Sequence, residues 1–258
     1  MLIFYHVCAL PNSNWQEVVE EQFDVLEKSG ILKKIQKVYI GFLGISRNQI
    51  QFLLNKCDKC EIIAFSTNLG NYERLTINTL RDFAVNSGEK NEKILYFHTK
   101  GITHSKTDEG IILWRNILQY FLIENYEECL DLLDTYDTVG CMCWNSGNLR
   151  HKIDDENHAV HYSGNFFWVN TSYVKTLAKL SETPANLKYQ NMYYLTERFV
   201  LYRIDRDKSR HVSLYQVPKD RGCQHLYGAK KENFKNFKNE KKLREISFKN
   251  GKLILTDI

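Results

Sequence analysis

Four apolar runs in strict rotation with helical stretches constrain the fold more than any other feature of the chain. Residues 2–8 (LIFYHVC), 38–43 (VYIGFL), 61–68 (EIIAFSTN) and the segment KILYFHTKGI (93–102) each read as a strand. The first is continuously apolar, as a strand buried on both faces must be. Between them, residues 15–29 place Val18, Val19, Phe23 and Leu26 at helical spacing, and Gly30 stops the helix. A short helix is expected around Asn48 to Asn55 and a longer one over 72–86, ending near Gly88. Strand, helix, strand in this order implies βαβ units, and so an α/β fold with a mostly parallel sheet flanked by helices.

The second half is less regular. Residues 112–134 have the pattern of one long amphipathic helix, 137–143 of a strand, and 161–170 (HYSGNFFWVN) of another. The polar stretch 144–160 between those strands reads as a loop of functional length. Thr171 or Ser172 can cap a helix over SYVKTLAKL, and a further helix is expected over 189–204. Asn250-Gly251 between two apolar runs signals a hairpin. The expected division is a domain over 1–228 and a basic C-terminal extension over 229–258.

Composition supports a packed enzyme-sized core, with 43% hydrophobic and 13% aromatic residues in 258. No apolar run approaches the roughly 18 residues that span a bilayer. Met1 to Leu10 lacks a basic leader and cleavage site and reads as a strand, so a cytoplasmic, reducing location is expected. Seven cysteines fit no disulfide framework. Cys57 and Cys60 form a C-x-x-C, and Cys141 and Cys143 a C-x-C whose side chains share a strand face. Together they could hold zinc, but their separation favours free thiols.

Why would a buried strand end in His98, Thr99, Lys100 and Gly101? In an open α/β sheet, ligands bind beyond the carboxyl ends of strands. There Lys100 presents a positive charge, His98 a hydrogen bond or metal ligand, and Gly101 a close backbone approach. The group suits a phosphate or diphosphate; the alternative is an ordinary surface turn. Arg115, behind Trp114 on the following helix, could reach the same anion or sit in water. Gly164 weakens a strand unless something approaches it closely. Ser163 and Asn165 offer polar groups beside it, and Phe166, Phe167 and Trp168 offer either sugar-stacking planes or core. Glu197, on an apolar helix (YYLTERFVLYRI), needs an ion partner such as Arg198 or Arg203, or a role as a base.

The motifs YFHTKG, LWR, YSGNFFWVN and TERF together resemble the GT-A glycosyltransferases, nucleotide-sugar-dependent enzymes with a Rossmann-like α/β domain. The likeness covers roughly residues 1–204. It implies transfer of a sugar from a nucleotide-diphosphate donor to a hydroxyl acceptor, in polysaccharide or surface glycan synthesis. The segment from Cys8 through Ala9 to Asn12 would hold the nucleotide, with Ser66 to Asn68 beside it. These enzymes commonly hold Mn²⁺ or Mg²⁺ on an Asp-x-Asp motif, which is missing after the fourth strand here. Lys100, with His98 or Arg115, could neutralise the diphosphate instead. Asp154 and Asp155, with His151, His158 and His161 near in sequence, form a fallback metal site. Glu197 would be the base of an inverting reaction, and His225 and Tyr227 could close over the diphosphate.

Charge is unevenly spread. Gly228 to Lys252 holds nine Lys/Arg against three Glu, in a chain whose net charge is +4. Phe234, Phe237, Leu243 and Ile246 interleave with these lysines, so the expected basic helix could lie on an anionic membrane surface near a lipid-linked or glycan acceptor, or simply pack on the domain. Two other functions stand beside sugar transfer. One is a different nucleotide- or phosphate-using α/β enzyme, although neither G-x-x-x-x-G-K-[ST] nor G-x-G-x-x-G occurs. The other is a nucleic-acid binder acting through the basic tail, against which the rest of the chain is near neutral.

Overall fold

The computed structural model describes residues 1–145, 160–180, 192–201, 209–216, 242–249 and 252–258. The expected α/β fold is present. Strands β1 (Leu2–Ala9), β2 (Val38–Gly44), β3 (Cys60–Ser66) and β4 (Lys93–His98) alternate with α1 (Trp15–Lys28), α2 (Ile31–Lys34), α3 (Ile50–Leu54) and α4 (Arg74–Asn86). Then come α5 (Glu109–Gln119), α6 (Tyr126–Leu132), β5 (Thr138–Gly140), β6 (Cys143–Asn145), β7 (Val160–Tyr162) and β8 (Phe167–Asn170). After these follow α7 (Thr171–Val174), α8 (Met192–Arg198), β9 (His211–Ser213), β10 (Arg244–Lys249) and β11 (Lys252–Asp257).

Among the described residues, nine strands form one sheet in the order β11-β10-β9-β5-β8-β4-β1-β2-β3. The first four strands of the chain are mutually parallel. β8 runs antiparallel to both its neighbours, and β9 is parallel to β5. The C-terminal hairpin β10–β11, with Lys249 opposite Lys252, joins the sheet through β9.

Side chains alternate across a strand, and β1 shows what that does. Ile3, Tyr5, Val7 and Ala9 enter the core that carries the apolar faces of α1, α5 and α6. Leu2 and Phe4 enter the opposite core, built on α4, α7 and residues 199–201. At about 25 cal/mol per Å² of apolar surface buried, these two cores are the main stabilising term.

Several expected elements differ, the first being the helix expected over SYVKTLAKL, which ends at Val174 and has Asn170 at its N-cap in place of Thr171 or Ser172. The strand over 137–143 breaks at Met142, whose φ is 53°, into β5 and β6. Cys141 therefore faces the α1/α5 core and Cys143 the α4 core, instead of sharing a face. The strand over 161–170 also breaks, because Gly164 and Asn165 have φ of 91° and 54°. Its first part, β7, leaves the main sheet to pair with β6. The helix expected over 112–134 begins at Glu109, where the Asp108 carboxylate accepts the N–H groups of Gly110 and Ile111. It is interrupted by a π-turn at Tyr120–Glu124, with the Asn125 N–H bonded to the Tyr120 carbonyl. The expected basic helix is corrected at its end, where Arg244–Lys249, with Ile246, form strand β10 paired to β9 instead; the earlier part of that helix lies outside the described residues.

Candidate active site

Beyond Phe4, the same face of β1 carries His6 and Cys8, and Leu10 follows just past the strand. These line a cleft of about 280 Å³ at the carboxyl ends of β1 and β4. Leu43 from β2, Leu69, Tyr72 and Glu73 from the turn before α4, and the whole run from His98 to His104 complete its walls. One wall is apolar and the floor is polar.

Glu73 is the buried centre of that floor, and the sequence does not single it out. Its Oε2 accepts hydrogen bonds from the Tyr96 hydroxyl at 2.8 Å and from Asn165 Nδ2. Its Oε1 lies 3.6 Å from His98 Nδ1. Burial raises its pKa above the usual carboxylate value, opposed by His6 and by these hydrogen bonds, while the Glu197 charge raises it further. His98 Nε2 donates to the Gly164 carbonyl at 2.9 Å. A carbonyl can only accept, so Nε2 carries the hydrogen in a neutral ring, and the lone pair of Nδ1 faces Glu73. Burial first, and then Lys100, lower the His98 pKa to about 3. His6 is lowered to about 4, chiefly by burial, and its Nδ1 meets Thr76 Oγ1 at 2.8 Å. Both rings are thus neutral at pH 7, beside a carboxyl held more readily protonated than in water.

The HTKG turn lines the cleft above them. Thr99 Oγ1 accepts the Cys8 N–H at 3.0 Å, which ties the turn to β1. Lys100 Nζ sits 3.8 Å over the Trp114 ring. Gly101 has φ of 93°, and a Cβ there would lie 2.3 Å from Ile111 Cγ2. Its need for glycine comes from helix α5, independently of any ligand. Arg115 is not an anion ligand in this arrangement: its buried guanidinium forms a two-point ion pair with Glu21 and donates to the Lys100 carbonyl at 3.0 Å. It holds the turn from beneath.

The second motif approaches from the other side. Ser163 and Asn165 are buried, and the Oδ1 of Asn165 is enclosed with no hydrogen-bond partner among the described residues. A Cβ on Gly164 would meet Leu118 Cδ1 at 2.7 Å and the Trp114 ring nitrogen at 3.0 Å. Trp168 is corrected to core: it is fully buried and its indole N–H donates to the Leu122 carbonyl. Phe167 stacks on Tyr96, and Phe166 sets its ring edge-on to His98.

The remaining expected residues are more scattered. Cys8 lines the cleft, and burial pushes its thiol up to about 11. Ala9 points into the opposite core, as alternation requires. Asn12 is exposed with φ of 60°. Ser66 and Asn68 build their own turn, Ser66 Oγ accepting from the Asn68 N–H and Asn71 Nδ2, and Asn68 Oδ1 from the Gly70 N–H. That turn leads into Leu69 and Tyr72 at the cleft mouth. Glu197 is half-buried on α8, and its charge is felt at both Glu73 and His98. His225, Tyr227, Asp154, Asp155, His151 and His158 lie outside the described residues; His161 is buried in β7. The residues missed by sequence reasoning are Glu73, Tyr96 and His6. A histidine inside the run LIFYHVC was a usable signal, whereas Glu73 reads as an ordinary acid at a helix start.

A family model described as a domain of unknown function, DUF8361, matches residues 4–211. No curated protein matches the chain. Among solved structures, a 4-diphosphocytidyl-2C-methyl-D-erythritol synthase from Anaerococcus prevotii is similar at 13% identity and a TM-score of 0.47, with 92% of this chain and 96% of that one covered. HddC from Yersinia pseudotuberculosis is similar at 10% identity and a TM-score of 0.39, covering 73% and 86%.

Proposed function

The chain belongs to the DUF8361 family, and from its own site we propose that it is a glycosyltransferase moving a sugar from a nucleoside-diphosphate donor to a hydroxyl acceptor. The observation that carries this reading is the cleft itself: a lysine-bearing turn at the carboxyl end of β4 faces an apolar wall above a buried carboxyl. Leu10, Leu43, Leu69 and Tyr72 offer a surface for a flat base. Lys100 supplies the charge that a diphosphate requires as it leaves.

In the reaction, the acceptor oxygen bonds to the anomeric carbon as the bond from that carbon to the diphosphate oxygen breaks. The electron pair leaves with the diphosphate, and the acceptor proton passes to a carboxylate. Lys100 stabilises the charge that develops on the leaving oxygen. Glu197 is the proposed base, on the acceptor side. Glu73, held by Tyr96 and Asn165, lies close enough to feel the Glu197 charge, which helps to raise the Glu73 pKa. The described floor is a poor divalent-ion site: its carboxyl, Glu73, has a raised pKa and its oxygens are engaged by Tyr96 and Asn165, and no group of three His, Cys, Asp or Glu side chains placed to hold a metal occurs among the described residues. In this reading charge neutralisation falls to Lys100; the fallback metal residues Asp154 and Asp155 lie outside the described residues. The acceptor is a glycan or lipid-linked hydroxyl; among the described residues no helix is long and apolar enough to cross a membrane.

Thermal unfolding in the presence of UDP, GDP, dTDP and CMP sugars, each with and without Mn²⁺, tests the reading. One donor should raise the melting temperature by ligand linkage. Glu197→Gln should then lose transfer and keep that shift. Stabilisation by nucleoside triphosphates but by no nucleotide sugar would favour a different nucleotide enzyme. Salt-sensitive binding of a random oligonucleotide with no nucleotide response would favour the nucleic-acid reading.

A further inference from the structure

The turn between α3 and β3 brings the C-x-x-C cysteines together. Cys57 Sγ and Cys60 Sγ lie 3.3 Å apart. The turn is closed by the Cys60 N–H on the Cys57 carbonyl at 3.2 Å. It is anchored to the neighbouring connection by Lys59, whose ammonium donates to the carbonyls of Leu32 and Ile35 at 2.7 and 2.9 Å. Both cysteines are half-buried, at the start of an edge strand. They sit at the end of β3 away from the cleft, so nothing about them depends on the reaction proposed above.

The two sulfurs are chemically unlike. Hydrogen bonding with the Cys60 side chain, and then with the backbone N–H groups of Lys59 and Cys60, outweighs burial and lowers the Cys57 pKa to about 6. Cys60, holding the shared proton, is raised well above an ordinary thiol. A metal would find only two ligands here among the described residues, where no third His, Cys, Asp or Glu side chain joins the pair in a metal-holding group.

We propose that Cys57 and Cys60 form a reversible dithiol–disulfide site that exchanges with low-molecular-weight disulfides of the glutathione type. The Cys57 thiolate attacks one sulfur of the small disulfide, whose S–S bond breaks to release one thiolate. Cys60 then gives up its proton and attacks the Cys57 sulfur, expelling the second small thiolate. Two protein thiols are oxidised by two electrons, the small disulfide is reduced to two thiols, and the protons go to the departing thiolates. The 3.3 Å spacing places the second attack within reach of a small closing movement of one side chain.

The test is equilibration of the full reduced chain with mixtures of reduced and oxidised glutathione, followed by acid quench, alkylation and peptide mass spectrometry. The expected result is a loss of two alkylatable thiols, with a two-hydrogen mass loss linking Cys57 and Cys60, reversed on adding reductant. Cys60→Ser should stop at a single glutathione adduct on Cys57, and Cys57→Ser should lose both products. Three outcomes would overturn the proposal: alkylation of both residues at every ratio, a disulfide drawn to another cysteine such as Cys8, or equimolar Zn²⁺ binding at the pair that blocks oxidation.

Discussion

Two glycine turns meet at His98, one lining the cleft and one behind it, and they are built alike but used differently. The turn at Gly101 and the turn at Gly164 have nearly equal φ, 93° and 91°. Both are pressed against one stripe of α5, Ile111 and Arg115 for the first, Trp114 and Leu118 for the second. Those positions fall at helical spacing on a single face. The first turn sends Thr99 and Lys100 to the cleft. The second turns Asn165 inward to hold Glu73. His98 joins them through its bond to the Gly164 carbonyl. One helix face thus positions both a binding edge and a buried floor, and the same local conformation serves chemistry in one place and architecture in the other.

The largest expected effect separates the two uses. Lys100→Ala should lower sugar transfer roughly a hundred- to a thousand-fold, the usual cost of removing one group that stabilises transition-state charge. Its melting temperature should stay close to that of the parent. Unchanged kcat/KM in that variant would remove the first turn from the chemistry and erase the contrast.

Next comes the shared architecture. Gly101→Ala and Gly164→Ala should each destabilise by about 2–3 kcal/mol, from strain at positive φ plus overpacking against α5. Gly101→Ala should be the worse of the two in urea unfolding, because the methyl meets β-branched Ile111, whose χ1 is nearly fixed in a helix. At Gly164 it meets the end of the more pliable Leu118. A near-neutral result at either site would show that the turn is not pinned by α5.

The last effect is a slope in pH rather than a loss at neutral pH. The folded His98 has its pKa lowered from 6.5 to about 3, and His6 to about 4. As pH falls through 6.5, the unfolded chain takes up protons that the native rings refuse, so stability is present above 6.5 and is lost toward pH 3–4. Each unit of such a shift is worth about 1.4 kcal/mol. Glu73 acts with the opposite sign: its raised pKa means stability declines as pH rises above 4.5. His98→Gln, which keeps a donor for the Gly164 carbonyl, should flatten the acid side of a melting-temperature profile. A profile identical to the parent's would mean that His98 is not held neutral between the two turns.

How much of this could be read in advance varies by residue. The end of β4 was legible because four apolar residues give way at once to His98, Thr99 and Lys100, and such a change in a buried strand needs a reason. Gly164 was legible as a break, since glycine inside a strand is costly. The paired breaks at Met142 and Asn165 were not, because neither residue type announces a positive φ. Arg115 was placed on the right helix but given the wrong neighbour: Glu21 lies 94 positions away in sequence. Trp168 could be core or platform until its indole found the Leu122 carbonyl.

Periodicity and chain breakers, both local properties, were enough to establish alternating strands and helices, the α/β class, and a polar corner after the fourth strand. The tertiary structure alone decided that Glu73 would gather Tyr96, His98 and Asn165, the last 92 residues distant, into a buried acid–imidazole floor. Backbone preference acts between neighbours in sequence, whereas burial and charge coupling act between neighbours in space, and those are set only once the sheet and its two helical layers have closed.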